Sequence, residues 1–84
     1  MKERDEAQLV ATASAGDQAA FTELVRRYRD RVYGYCYHRT GNFEDARDLA
    51  QESFVRAYTS LGQLRDTSGF GPWVRRIAAN LCNR

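Results

Sequence analysis

The apolar residues of this chain follow the 3.6-residue period of an α-helix almost from end to end, and the clear interruptions fall at glycines. That pattern divides the sequence into four helical segments. Asp5 is placed to cap a first helix running to about Ala15, with Gly16 as a left-handed stop. Asp17 caps a long second helix, about Gln18 to Arg39, whose inward stripe is Phe21, Leu24, Val25, Tyr28, Val32 and Tyr35. Thr40-Gly41 ends it, and Asn42 caps a third helix from about Phe43 to Leu61. Glu44 and Asp45 sit in its first turn, where the helix dipole favours negative charge. Its inward stripe is Phe43, Ala46, Ala50, Phe54, Ala57 and Leu61, and Gly62 closes it. A flexible polar loop, Gln63 to Gly69, leads to a fourth helix with Pro72 in its first turn and Phe70, Trp73, Val74, Ile77 and Leu81 facing inward. No stretch alternates with period two long enough to make a strand. The predicted fold class is all-α, a compact four-helix bundle forming one domain over residues 1–84.

Composition narrows the function. Thirteen Lys and Arg against eleven Asp and Glu leave a formal net charge of +2, which excludes a uniformly basic coat. Nucleic-acid binding must then come from local clustering. The charged start, Met1 to Glu6, lacks the apolar core of a signal peptide, and no apolar run nears the ~20 residues of a bilayer span. A cytoplasmic protein without membrane insertion is expected. Cys36 and Cys82 lie far apart in the chain, with no CxxC spacing and no histidine cluster. Two buried free thiols are the simpler reading, with a disulfide or metal site as the alternative. His38 lacks ligand partners and reads as a helix-end residue. No nucleophile–base pair, metal cluster or Gly-rich phosphate loop is visible, so no enzyme activity, metal or cofactor is expected.

Function must be sought on the faces turned away from the core. On the third helix Asp48, Gln51, Glu52 and Val55 recur at helical spacing opposite the inward stripe, with Arg56 pairing back to Glu52. Two carboxylates and an amide around an exposed valine suit docking on a basic helical protein surface; a solvated face is the plainer alternative. On the fourth helix Trp73, Arg76, Asn80 and Asn83 line one flank, with Arg75 and Arg84 nearby. An aromatic plane, a phosphate-binding fork and two amides are what is needed to hold unstacked bases. Alternatively, Trp73 is core and the asparagines are polar surface. The outer face of the second helix interleaves Arg26, Arg29, Tyr33 and Tyr37, either to track a nucleic-acid backbone or as a solvated face.

Residues 45–57 read DARDLAQESFVRA. This DAxDLxQExFxRA pattern resembles region 2.2 of sigma factors of the extracytoplasmic-function (ECF) group. Residues 70–80, FGPWVRRIAAN, resemble regions 2.3 and 2.4, an FxxWLxxIAxN pattern in which Val74 stands where leucine is usual. Gly16 to Phe21, leading to Leu24 and Tyr28, looks like the start of region 2.1. The three motifs occur in order and cover nearly the whole chain.

The resemblance implies a sigma region 2 bundle that docks on the β′ clamp helices of RNA polymerase and recognises and melts the promoter −10 element. Carried over, the polymerase contact falls on Asp48, Gln51 and Glu52, with Val55 and Arg56 as neighbours. Capture of a flipped non-template base falls on the loop, Gln63 with Arg65, Asp66, Thr67 and Ser68, and on Trp73, Arg76, Asn80 and Asn83. A phosphate is expected at the backbone N–H groups that open the fourth helix. The family's region 4, a helix-turn-helix reading the −35 element, is absent from these residues. An anti-sigma factor is a further implied partner, and a sigma-like module whose main partner is such a factor is the alternative function.

Overall fold

The computed structural model describes residues 5–83. Four helices follow one another: α1 (Glu6–Ser14), α2 (Gln18–Thr40), α3 (Phe43–Ser60) and α4 (Phe70–Cys82). Met1 to Arg4, and the added charge expected at Arg84, lie outside the described residues.

The helix boundaries have local causes. The Asp17 carboxylate accepts from the backbone N–H groups of Ala19 (3.0 Å) and Ala20 (3.3 Å). The Asn42 side chain accepts from Asp45 N–H at 3.0 Å. Each such cap is worth about 0.5–2 kcal/mol. Gly41, at φ 67°, ends α2 in the left-handed conformation, and its N–H donates to the Tyr37 carbonyl. Asp5 stands at the start of α1, but its side chain makes no capping bond.

All four helices share one core. Leu9 and Val10 of α1, Leu24 and Cys36 of α2, Ala46 and Ala57 of α3, and Phe70 and Val74 of α4 are all at most 1% exposed. The alanines of α3 let α2 come close, and aromatic side chains fill the rest. The Phe70 ring lies edge-on to Phe21 (centroids 6.3 Å apart) and tilted against Tyr28 (5.5 Å) and Trp73 (6.1 Å). Such pairs stabilise beyond their buried area. Ser53 is also fully buried, its hydroxyl donating to the Leu49 carbonyl at 2.7 Å. Ser53 thereby satisfies the hydroxyl it brings into the core.

Three expectations are corrected. Phe43 is not core: it is 66% exposed and lies flat against Tyr37, with centroids 4.7 Å apart. It opens α3 beyond the alanines that meet α2, so the Tyr37 ring shields it instead of the interior. The segment 63–69 is not a featureless loop. It follows one 3-10 turn, Leu61–Gln63, and ends in another, Thr67–Gly69, and Asp66 accepts from the N–H (3.0 Å) and hydroxyl (2.6 Å) of Ser68. Those bonds hold the Asp66 carboxyl below its usual range. Finally, only Cys36 is fully buried; Cys82 is half-buried. Cys82 of α4 neighbours Cys36 of α2, and burial first, then Cys82, pushes the Cys36 thiol up to about 12.

Candidate functional site

Two concave surfaces flank α3. The first lies between the C-terminal half of α3 and α4, a polar cavity of about 410 Å³ lined by Arg56, Thr59, Ser60, Gln63, Trp73, Ile77, Asn80 and Leu81. Trp73 and Ile77 are half-buried, packed against the core on one side and lining the cavity on the other. Asn80 is exposed on the same flank, and Gln63 reaches the mouth from the first 3-10 turn. The cavity therefore offers an aromatic plane, amide donors and acceptors, and hydroxyls, the groups that stack on a base and bond its edges.

Some expected residues lie elsewhere. Arg76, Arg65, Asp66 and Ser68 are exposed and Thr67 is half-buried, all outside the cavity lining. The side-chain carbonyl oxygen of Asn83 accepts a hydrogen bond from Arg39 of α2, whose guanidinium also lies over the Tyr35 ring. Asn83 thus ties α4 to α2. In the first turn of α4, Phe70 and Gly71 are buried, and Gly71 lies against the Tyr28 ring. Of the flank read from α4, Trp73 and Asn80 line the cavity, and Arg76 is exposed outside its lining.

The second concavity is an apolar groove of about 670 Å³ between α2 and α3, lined among others by Val25, Arg29, Tyr33, Arg47, Gln51, Phe54 and Val55. Val55 is 62% exposed, and Asp48 and Gln51 are exposed beside it. The α3 strip therefore fans out. Gln51 and Val55 line the groove, while Arg56 lines the polar cavity and pairs with Glu52. Arg56 Nε and Nη2 lie 3.1 and 2.9 Å from the same Glu52 oxygen. The outer face of α2 also divides: Arg29 and Tyr33 line the groove, Tyr37 stacks between Tyr33 and Phe43, and Arg26 bonds Glu23.

Sequence reasoning missed Arg56, Thr59 and Ser60 as cavity residues. The signal was present, because Arg56, Thr59, Ser60 and Gln63 share a helical face. Reading Arg56 as the partner of Glu52 and a neighbour of the polymerase contact hid it. Among the described residues no helix is long and apolar enough to cross a membrane.

Residues 24–84 match the family described as Sigma-70 region 2. The chain is similar to the ECF RNA polymerase sigma factor SigW of Bacillus subtilis, 44% identical over 66 residues covering 79% of this chain and 35% of that protein. It is also similar to the RNA polymerase sigma-H factor of Pseudomonas aeruginosa, 39% identical over 79 residues covering 94% and 40%. The chain thus spans about a third to two fifths of the length of these relatives. Among solved structures it resembles the NMR structure of an engineered region 2 of sigmaE in complex with GTAAAA. The TM-score is 0.88 and the identity 34%, over 99% of this chain and 87% of that one.

Proposed function

Because the chain belongs to the sigma-70 region 2 family, within the ECF sigma factors, we propose that it docks on the β′ clamp helices of RNA polymerase and there recognises and melts the promoter −10 element. The observation that carries this reading is the cavity of about 410 Å³ between α3 and α4, whose lining includes Trp73, Asn80 and Gln63. An unstacked base entering it stacks on Trp73 and exchanges hydrogen bonds with the two amides. Those contacts offset the few kcal/mol that unstacking costs. Support comes from the likeness to a region 2 solved in complex with GTAAAA.

The groove between α2 and α3 is the protein-facing side of the proposal. Val55 gives the groove an apolar centre beside Gln51, Arg29 and Arg47, and the carboxylates of Asp48 and Glu52 lie on α3 outside its lining. A helix bearing arginines fits those carboxylates through charge-assisted forks. A regulatory anti-sigma factor covering the same face is the alternative partner.

The test is binding of the chain to a β′ clamp-helix fragment. Asp48→Ala and Glu52→Arg should each weaken it while the circular dichroism stays helical, because neither residue belongs to the core. Unchanged affinity in both variants rejects the polymerase assignment.

A further inference from the structure

We infer that Cys36 of α2 and Cys82 of α4 form an oxidisable thiol pair, which a small disulfide such as oxidised glutathione closes into a cross-link between the two helices of the folded chain.

The two cysteines lie far apart in the sequence, and the fold makes them neighbours. Two further contacts agree with that placement. α2 packs against α4, and Arg39, one helical turn beyond Cys36, donates to the side-chain oxygen of Asn83, the residue after Cys82. The ends of the two helices are therefore in register at the level of the thiols. Cys36 is fully buried in the core, and Cys82 packs half-buried against that core. A disulfide needs Cα atoms within about 7 Å, which neighbouring thiols on two packed helices reach without unfolding. Among the described residues no group of three or more His, Cys, Asp or Glu could hold a metal ion. The chemistry open to the pair is thiol–disulfide exchange.

Their surroundings set the order of attack. Burial first, then Cys82, holds the Cys36 thiol up to about 12, so it stays protonated at neutral pH and does not begin the exchange. Cys82, which reaches the surface, begins it. Its thiolate attacks one sulfur of oxidised glutathione and breaks that S–S bond, and the glutathione thiolate released takes up a proton. Cys36 then gives its proton to solvent, its sulfur attacks the Cys82 sulfur of the mixed disulfide, and the second glutathione leaves as a thiol. Two protein thiols are oxidised, and one glutathione disulfide is reduced to two thiols. The product ties α4, which carries Trp73 and Asn80 of the cavity lining, to α2. A fold that holds the thiols together favours the disulfide, and by linkage the disulfide stabilises that fold to the same extent.

The test equilibrates the 84-residue chain in graded mixtures of reduced and oxidised glutathione, with and without denaturing urea, followed by alkylation and mass spectrometry. The folded parent should lose two hydrogens and resist alkylation at both cysteines. Its half-oxidation point, taken as the square of the reduced over the oxidised glutathione concentration, should lie about 30-fold or more above that of the chain in urea, the fold-change of a typical native disulfide. Cys36→Ala should stop at one glutathione adduct on Cys82. Cys82→Ala, whose remaining thiol is buried, should stay unmodified while folded. A folded parent that favours the disulfide no more than the chain in urea, or that collects two adducts without a cross-link, overturns the pair. An adduct that forms as fast on folded Cys82→Ala as on Cys36→Ala overturns the order of attack.

Discussion

The Tyr28 ring lies so close to Gly71 that a Cβ at position 71 would stand 2.9 Å from both its Cε1 and its hydroxyl oxygen. The same hydroxyl donates to Glu6 Oε1 at 2.7 Å, so Tyr28 fastens α1 to α2 while α4 passes beneath it. Gly71→Ala should therefore destabilise the bundle. Overpacking of this kind costs about 1–3 kcal/mol, against a gain of at most about 1 kcal/mol in helix propensity. Urea denaturation is the measurement, and a net loss is the expected result.

Phe54 and Phe43 make a contrasting pair on one helix. Phe54 is 8% exposed in the core, whereas Phe43 is 66% exposed against Tyr37. Phe54→Ala should cost roughly 3–5 kcal/mol, a large part of the stability of a domain this size. Phe43→Ala should cost well under half of that. Equal losses in thermal melts would contradict the placement of Phe43.

That contrast marks how much of the fold was legible. The helical period fixes a face to within a helix turn, so Ala46, Ala50, Phe54 and Ala57 were read correctly. It does not say where a neighbouring helix stops covering the face, and Phe43 lies past that limit. The site behaves likewise. Trp73 and Asn80 were readable as one flank, because their spacing returns nearly to the same side of α4. Asn83 shares the flank in sequence, but the contact with Arg39 of α2 claims it, and that depends on tertiary packing. Cys36 and Cys82 meet for the same kind of reason, across two helices that sequence spacing cannot relate.

Acid stability offers a test on the surface of α2. Glu23 accepts hydrogen bonds from Arg26 (2.9 and 2.7 Å) and Arg27 (3.0 Å). These pull its carboxyl from an ordinary 4.5 down to about 2. A carboxyl depressed by folding contributes stability that is present above its unfolded value and is lost as pH falls through its folded one. Stability should therefore fall between about pH 4.5 and 2, and Glu23→Gln should flatten the denaturation midpoint over that window. An unaltered acid profile in the variant would show that these bonds contribute nothing.

Capture of one unstacked base beside Trp73 and Asn80 is the central claim, and a fluorescent base tests it most directly. A GTAAAA strand carrying 2-aminopurine at one adenine position after another reports on the stacking of each base. With the parent chain, one position should change its emission sharply while its neighbours change little. Trp73→Ala and Asn80→Ala should each abolish that change. A response spread evenly along the strand, or a single response that survives both variants, would contradict the account.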